Sequence, residues 1–487
     1  MSLSSALRIA QSSIFNTSYQ TSVTSRNISE ASNPDYVRRN ADLVSTEGGA
    51  RVAEIRRNED VALFRSSLNA LSSSAGQSVI FEAATRLNYM VNSSDNSTAP
   101  GTLLSQFENA LQLYSSDPSN SLAGENAIYA AKELANGISD ASSAVQSYRG
   151  AVDLEIADGV ARVNELLDEF GALNDEVVQG TALGKDVNDA MDARDLVLKE
   201  LSGYISISTV GRRDNDLMIF TAQGVTLFET VPRTVSFDPI SAHAPGVPGN
   251  QIFIDGVPLN AGSGANTDAI GSLSAMLQAR DDLAMDVQGQ LDEIARGLVV
   301  AFAETDQTAS ALPDQAGLFT YAGGPAVPTG ATAVNGLALS LSVNGLFDPD
   351  LGGDPQLLRD GGANGAAYVA NAAGSAAFAD NLIRYTEQID EPISTDPAFG
   401  LTGSYTLSNY AESSIGYLDS IRQAASRASE SDAALSERLS SMLSATTGVN
   451  LDEELSMLIE LEQSYQASAR IIATVDEMFA ALFGAFR

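Results

Sequence analysis

Residue types that often carry chemistry are absent or scarce in this chain. Its 487 residues include no cysteine, no tryptophan and one histidine. Without cysteine it can form neither a disulfide framework nor a thiolate metal site. The one histidine, His243, lies in the loop-like segment SAHAPGVPG, which indicates a surface residue, and no second histidine is available to complete a metal pair. We therefore expect no catalytic residues, no cofactor and no metal, and we do not expect an enzyme.

Positive charge and long apolar runs are also scarce. The chain has 27 basic and 62 acidic residues, so its net charge is −35. Nucleic-acid binding needs a basic surface and is not expected. No apolar run approaches the roughly 18 residues of a membrane span, and Arg8 and Gln11 interrupt any signal-like apolar stretch. The acidic run 347–354 lacks calcium-loop spacing and is expected to be an acidic turn.

Both ends of the chain show helical stripes of apolar residues at spacings of three and four. The N-terminal stripe comprises Leu3, Leu7, Ala10, Ile14, Thr17, Thr21, Thr24 and Ile28. The C-terminal stripe comprises Leu451, Leu455, Leu458, Leu461, Tyr465, Ala469, Ile472, Val475, Phe479, Leu482 and Phe486, and Asn450 before it is a good N-cap. Each stripe could pack on its own domain core, or the two could pair with each other and with neighbouring copies.

The charges of the two ends favour the second interpretation. Residues 1–28 contain two arginines and no acidic residue, whereas residues 451–487 contain seven acidic residues and two arginines. The ends are therefore electrostatically complementary. Near the N-terminal end, an arginine cluster forms either a solvated face or a surface that meets acidic partners. The cluster comprises Arg38, Arg39, Arg51, Arg56 and Arg57.

The intervening chain alternates long helical patterns with short β-prone runs. A hairpin is predicted around Glu47-Gly48-Gly49, and a small β region over 203–257 with a turn at Gln223-Gly224. Helical spacing is predicted over 59–93, 119–180, 268–304 and 405–446. The Gly/Ala-rich segment 305–400 is predicted to hold a strand in LALSLSVNGLF and a helix over 364–386.

These patterns predict a mainly α fold with β insertions and a nested, layered organisation. Residues 1–30 and 450–487 are expected to form an inner, coiled-coil-like domain of terminal helices. Residues 31–304 and 401–449 are expected to form a long-helix bundle with the hairpin and the β region. Residues 305–400 are expected to form a small, irregular inserted domain.

Two segments carry a resemblance to a known family. NISEASNPDYVRR, residues 27–39, resembles the N-I-x-N-A-x-T-P-G-Y-x-R-Q segment of bacterial flagellar axial proteins. The matching turn residues are Asn27, Ile28, Pro34, Tyr36 and Arg38. Asp35 replaces a glycine at a place where positive φ is expected, which Asp tolerates better than most residues. GVNLDEE and the following YQASARII and DEMFAAL, within 448–482, resemble the ending of the hook-associated protein 1 family.

The resemblance implies a structural adaptor between the flagellar hook and the filament. Such a protein is exported through the flagellar type III channel without a cleavable signal and lies outside the cell. Its terminal helices would form an inner tube, and the turn motif would end the first of them. The implied assembly seam consists of Leu3, Leu7, Ile14, Ile28, Leu451, Leu455, Leu458, Tyr465, Ile472, Val475, Phe479 and Leu482.

The implied partners are identical subunits in a ring, the hook protein and the next hook-associated or junction protein on the filament side. A cytoplasmic export chaperone would bind the C-terminal helix. Three alternatives stay open. The chain could be another axial protein, such as hook or distal rod, or an axial scaffold with an enzyme in 305–400. It could also be a secreted protein that only shares the export route.

Overall fold

The helices and short strands are described by a computed structural model that covers residues 3–46, 49–259, 270–328, 330 and 333–485. The predicted class, mainly α with β insertions, is confirmed. The helices are α1 (Leu3–Ser29), α2 (Val61–Asn92), α3 (Pro100–Ser116), α4 (Ser121–Ala182), α5 (Asn188–Tyr204), α6 (Ser272–Gln278), α7 (Ala284–Ala301), α8 (Leu337–Ser340), α9 (Leu357–Asp360), α10 (Asp380–Asp390), α11 (Leu407–Thr447) and α12 (Leu451–Ala485). Within the described residues, no helix is both long and apolar enough to cross a membrane.

The strands are short, and those whose pairing direction is described are antiparallel. They are β1 (Arg39–Thr46), β2 (Gly49–Arg57), β3 (Ile207–Gly211), β4 (Leu217–Thr221), β5 (Thr226–Phe228), β6 (Val235–Ser236), β7 (Phe253–Ile254), β8 (Val257–Pro258), β9 (Phe319–Thr320), β10 (Ser342–Val343), β11 (Ile393–Ser394) and β12 (Ser404–Tyr405). β1 pairs with β2 in the predicted hairpin, with a bulge between Asp42 and Leu43. The predicted turn residues Glu47 and Gly48 lie outside the described residues.

The chain divides into two compact units. The chain-end unit comprises Met1–Ser74, Arg162–Val235 and Ser431–Arg487, and the central unit comprises Ala75–Ala161 and Ser236–Glu430. The boundaries fall inside α2, α4, β6 and α11. In the chain-end unit, β3, β4 and β5 form one sheet. Phe170 of α4 packs edge-on against Phe228 of β5, with ring centroids 5.0 Å apart, so the sheet is fixed to that end of α4.

The long predicted helix is confirmed as a single element of 62 residues, α4. Its first turn is capped by the Asn120 side chain, whose Oδ1 accepts hydrogen bonds from the backbone N–H groups of Leu122 (3.1 Å) and Ala123 (3.2 Å). The predicted cap of α12 is also confirmed, because Asn450 Oδ1 accepts from Asp452 N at 3.0 Å. Apolar periodicity alone was therefore enough to locate α4, and periodicity together with the Asn450 cap located α12.

The core of the central unit contains a cluster of aromatic rings. Phe302 at the end of α7 lies 5.2 Å from Phe107 of α3, 5.3 Å from Phe319 of β9 and 4.8 Å from Tyr385 of α10, measured between ring centroids. All four side chains are buried. The rings thus join three helices and one strand from distant parts of the sequence around one apolar centre.

Two predictions within 305–400 are wrong in part. LALSLSVNGLF begins with the short helix α8, because Gly336 adopts a left-handed conformation that starts a helical turn, and only Ser342–Val343 form a strand. The helix predicted over 364–386 is confined to α10, which begins at Asp380. Gly365 and Gly374 have positive φ, so the alanine-rich stretch between them cannot continue as one helix.

The prediction that His243 is a surface residue is wrong. Its side chain is 1% exposed, and Nε2 lies 3.3 Å from Asp153 Oδ2. Asp153 is also paired with Arg280 at 2.5 Å, and Arg149 is fully buried beside Arg280. Burial lowers the pKa of His243, so the neutral ring fills a polar pocket. The Pro/Gly-rich loop therefore lies over this buried charge cluster instead of extending into solvent.

A buried carboxyl in the central unit gives a prediction about pH. Tyr417 of α11 donates a hydrogen bond to Asp286 Oδ2 of α7 at 2.5 Å, and burial raises the pKa of Asp286 from 3.8 to about 6. The folded state therefore binds more protons than the unfolded state between these values, and stability falls as the pH rises through this window. Asp286→Asn keeps the acceptor for Tyr417 and cannot titrate. We expect the loss of unfolding free energy between pH 5 and 7 to shrink by about 1 kcal/mol in this variant.

Urea unfolding of the parent and the Asp286→Asn variant at pH 5 and pH 7 measures this difference. The exposed Asp314 offers a matched control, because Asp314→Asn removes a carboxylate that is not buried. An unchanged pH dependence in Asp286→Asn would show that Asp286 is ionised alike in the folded and unfolded chains.

Candidate assembly site at the chain ends

α1 and α12 pack against each other as an antiparallel pair. Ser13 Oγ lies 2.8 Å from Ser468 Oγ, and Asn27 Nδ2 donates to Glu454 Oε2 at 3.1 Å. The two contacts are fourteen residues apart on each helix, which is two heptads, and they run in opposite directions along the sequence. The two ends of the chain therefore meet within the chain-end unit.

The buried line of this pair consists of small and polar residues at heptad spacing. Its members on α1 are Ala10, Thr17 and Thr24, and those on α12 are Glu454, Leu461, Ser468 and Val475. Small side chains let two helices approach closely, but they bury little apolar area and contribute little stability. The pair is consequently held by shape and hydrogen bonds more than by a thick hydrophobic core.

The predicted seam residues occupy three different environments. Val475 is buried in the pair. Half-buried positions along its flanks are Leu3, Leu7, Ile14, Ile28, Leu458, Ile472 and Phe479. Exposed positions are Leu451, Leu455, Tyr465 and Leu482. Phe486 of the predicted stripe lies outside the described residues. α1 thus covers only part of the apolar surface of α12, and several large apolar side chains of α12 are left facing solvent.

Asn27 is the hub of the turn motif. Its side chain is buried, and its Oδ1 accepts from the Tyr36 hydroxyl (2.8 Å) and from the backbone N–H of Arg39 (3.1 Å). Its Nδ2 donates to the Arg39 carbonyl (2.9 Å) and to Glu454 Oε2. Both lone pairs and both protons of the amide are used. Asn27 therefore links the end of α1, the start of β1 and the start of α12.

Arg38 ties the same turn to the C-terminal half of the unit. Its Nε donates to Glu454 Oε1 at 2.6 Å, an Nη lies 3.5 Å from Glu453, and its backbone N–H donates to the Thr447 carbonyl at 2.8 Å. Glu454 is 2% exposed on its side chain, so this ion pair is well shielded from solvent. This contact is not made by the arginines of residues 1–28 on which the charge argument was based, because Arg26 pairs with Asp189 of α5 at 2.6 Å. Sequence reasoning did not single out Glu454, because it is one of three consecutive acidic residues.

The remaining motif residues shape the turn. Pro34 is exposed and Ile28 is half-buried. Asp35 does not have the positive φ expected at this place. Instead, its carboxylate accepts a hydrogen bond from Lys199 Nζ of α5 at 2.7 Å, a contact that the family's glycine could not make. The replacement therefore exchanges backbone freedom for an ion pair.

The arginine cluster divides between a buried ladder and an exposed pair. Arg39 and Arg57 are buried against α5, which presents aspartates at 189, 192 and 195, three residues apart on one face. Arg39 Nη2 contacts Asp189 at 2.5 Å and Asp192 at 2.9 Å, and Arg57 contacts Asp192 at 3.1 Å and also pairs with Asp195. These two arginines thus meet an acidic surface of their own chain.

The pKa values of two aspartates in this ladder are shifted in opposite directions. Burial raises the pKa of Asp192, since the surrounding arginines only partly offset its loss of water. Burial acts in the same direction on Asp189, but hydrogen bonds from Arg26 and Arg39 outweigh it and lower the pKa of Asp189. Arg51 and Arg56 are exposed, and Arg56 pairs with Asp42 (3.3 Å) and Glu54 (2.6 Å) at the surface.

The described residues contain no group of three or more histidine, cysteine or carboxylate side chains placed to hold a metal ion. In the acidic run 347–354, Asp348 and Asp350 contact Lys132 Nζ at 2.9 and 2.8 Å. Their hydrogen bonds raise the pKa of Lys132. The carboxylates that sequence reasoning weighed as calcium ligands therefore already have a cationic partner.

Removal of the hub amide gives a second prediction. Asn27→Ala leaves the Tyr36 hydroxyl, the Arg39 backbone and Glu454 without their shared partner in a buried site. Unsatisfied buried polar groups cost about 1–3 kcal/mol each, so we expect a loss of about 2–4 kcal/mol of unfolding free energy. Denaturant unfolding measures it, and Asn40→Ala on the exposed part of β1 is the control. A loss below 1 kcal/mol would mean that solvent replaces Asn27 readily.

Comparisons with known proteins give a consistent set of matches. A family model described as "Flagellar hook-associated protein FlgK helical domain" matches residues 84–319, and one described as "Flagellar basal body rod FlgEFG protein C-terminal" matches residues 440–484. Flagellar hook-associated protein 1 of Escherichia coli (strain K12) is 22% identical over 257 residues, which cover 52% of this chain and 46% of that protein. The chain thus spans about half the length of the first curated relatives that it matches.

Two further matches extend over more of the chain. Flagellar hook-associated protein 1 of Bacillus subtilis (strain 168) is 21% identical over 507 residues, covering 94% of this chain and 93% of that protein. The solved structure of the flagellar hook junction protein FlgK from Burkholderia pseudomallei aligns with a TM-score of 0.55 at 14% identity, covering 78% of this chain and 99% of that one. At this identity the structural match concerns the fold alone.

Proposed function

We propose that the chain, which is similar to flagellar hook-associated protein 1, is a structural component of the bacterial flagellum that joins the hook to the filament. The family's role is structural, and the packing site at the chain ends suits that role. We propose that the protein acts by self-assembly and not by catalysis.

One structural observation supports this proposal. After α1 has packed on α12, large apolar side chains of α12 are left exposed at Leu451, Leu455, Tyr465 and Leu482. Exposed apolar side chains that lie close together mark surfaces that bind other proteins. Neighbouring copies that cover these side chains would stabilise a helix pair whose own buried line is mostly small and polar. The predicted seam residues are thus proposed to act between subunits as well as within one.

The proposed layers follow from this. Residues 1–30 and 450–487 are the proposed inner layer, and the Asn27 hub lies where the chain leaves it. Residues 31–304 and 401–449 are proposed to form the helical layer outside it, with 305–400 as a further insert. The motif residues Ile28, Pro34 and Tyr36 are proposed to end the inner helix and turn the chain outward.

The proposed partners and route follow from the family. They are identical subunits in a ring, the hook protein, and the next hook-associated or junction protein on the filament side. We propose export through the flagellar type III channel without a cleavable signal, after a cytoplasmic chaperone has bound the C-terminal helix. The proposed location is the hook–filament junction outside the cell.

Deletion of the gene in its host tests the function directly. Electron microscopy of the flagella, with flagellin assayed in the medium, is expected to show bare hooks and flagellin lost from the cells. Absent hooks would instead make this a rod or hook protein. Normal filaments would reject the junction role and favour a secreted protein that shares only the export route. Re-expression of the full chain is the control that should restore filaments.

A further inference from the structure

The face of α1 that points away from α12 carries two exposed aromatic residues. Phe15 is 75% exposed and Tyr19 is 50% exposed, and they lie one turn apart on the same face. At 100° per residue, Tyr19 is about half a turn around the helix from the buried Thr17. These rings therefore do not take part in the α1–α12 pair and have no role in the site described above.

The two rings form one wall of a groove of about 1000 Å³. β2 and the connection between α4 and α5 form the other walls, so every wall belongs to the chain-end unit. Asn16 fixes α1 to β2, because its Nδ2 donates to the Ala50 carbonyl at 2.5 Å and its Oδ1 accepts from Val52 N at 3.1 Å. The groove is thus built by specific hydrogen bonds, with its aromatic wall open to solvent.

Two cations line this groove without an acidic partner. Arg51 and Lys185 make no ion pair within the part of the chain that the structure describes. By contrast, Arg56 and Arg57 in the same wall are paired with carboxylates. The lining also contains acidic residues: Glu54 and Glu59 pair with Arg56 and Arg57, and Asp186 accepts hydrogen bonds from Asn188. Arg51 and Lys185 thus leave a small excess of positive charge, which an occupant with an apolar ridge and nearby acidic side chains would complement.

Such a ridge is present on the same unit. Leu451, Leu455 and Ile459 follow one another at intervals of four residues along α12 and are 47, 47 and 56% exposed. Residues at this spacing form one row on a helix surface, and such rows pack into grooves on other helices. Asp452 and Glu462 lie beside the row and form no ion pair among the described residues.

We propose that the Leu451–Leu455–Ile459 row of one copy docks into the Phe15–Tyr19 groove of the next copy. The chain cannot fill its own groove with this row, because α1 presents one face to α12 and the opposite face to the groove. The contact joins two different surfaces, and such heterologous contacts propagate into rings or helical arrays. The inference rests on the proposed function and names the surfaces that adjoining subunits use.

The absence of native cysteine allows a clean cross-linking test. Cells whose only copy of the chain carries Tyr19→Cys and Leu455→Cys are grown, and their purified flagella are oxidised. Non-reducing electrophoresis is expected to show a ladder of dimers and larger multimers, lost on reduction. Ser13→Cys with Ser468→Cys is the matched control, because these positions face each other within one chain and should close without changing the monomer size.

The outcomes of this experiment distinguish failure of the docking proposal from failure of the proposed junction role. If flagella contain the chain and the Ser13/Ser468 control closes, but the Tyr19/Leu455 pair yields no multimers, the docking proposal is wrong and the junction role stands. If the unaltered chain is absent from purified flagella, the proposed function fails and the docking proposal fails with it.

Charge reversal keeps the proposal testable if the cysteine pair is not incorporated. Arg51→Glu with Lys185→Glu is expected to reduce incorporation roughly tenfold, because acidic side chains would then face each other. Asp452→Lys with Glu462→Lys in the same chain should restore it. Failure of this combination to restore incorporation, when each pair alone reduces it, overturns the proposed contact.

Discussion

Replacement of Asp192 with alanine is expected to lower the free energy of unfolding of the chain-end unit by about 3–5 kcal/mol. Asp192 lies between Arg39 and Arg57, whose side chains are only 2 and 3% exposed. Without it, two guanidinium groups remain buried with fewer counter-charges. Arg39 keeps Asp189 and Arg57 keeps Asp195, so both buried charges are then only partly compensated, which costs more than the loss of a surface pair.

Hydrogen exchange resolved by segment measures this effect in α5 and in the β1–β2 hairpin. The matched control is Glu54→Ala, which removes the partner of the exposed Arg56 and is expected to cost less than about 1 kcal/mol. Asp192→Asn, which keeps the size of the side chain, should lie between the two. Equal effects of Asp192→Ala and Glu54→Ala would show that the buried ladder adds nothing beyond an ordinary surface pair.

The second large effect is expected in assembly. Ile472→Asp places a carboxylate on the half-buried flank of α12, where a neighbouring copy is proposed to pack. Burial of an unpaired carboxylate costs several kcal/mol, so incorporation into flagella should fall by about a hundredfold or more. The isolated chain should keep its main unfolding transition, because Ile472 is only half-buried in the α1–α12 pair and is not part of the central unit.

Motility in soft agar and immunoblots of purified flagella measure incorporation, and calorimetry measures folding. Thr474→Asp is the control, because it adds the same charge on an exposed position of α12. Loss of the main thermal transition in Ile472→Asp would assign the defect to folding. Normal incorporation would remove Ile472 from the assembly surface.

Helices with long apolar periodicity could be located from the sequence. α4, α11 and α12 have caps or breaks at their ends and apolar residues in step over many turns, so local signals and packing agree. The hairpin and the β3–β5 sheet could also be predicted, because β-prone runs were separated by turn residues. The segment 305–400 was less predictable, since glycines with positive φ interrupt stretches whose composition favours helix.

The contacts of the candidate site were harder to predict than its location. Asn27, Tyr36 and Arg38 were identified by resemblance, but their common partner Glu454 is more than 400 residues away, and nothing local marks it among its acidic neighbours. The aspartates of α5 at 189, 192 and 195 do show a spacing of three, which a search for acidic faces opposite the arginine cluster could have found. His243 was misplaced because loop composition does not reveal what a loop covers.

The Asn27 hub also determines how the molecule would bear mechanical load. A pull along α1 reaches the hairpin through hydrogen bonds from one side chain to Tyr36, Arg39 and Glu454, while Arg38 attaches the same turn to α11 and α12. Because one amide group makes these bonds, a displacement of Asn27 stretches all of them at once. Resistance to force depends on the unfolding barrier and not on the equilibrium free energy. The hub would therefore let the turn withstand pulling even though the buried line between α1 and α12 contributes little apolar area.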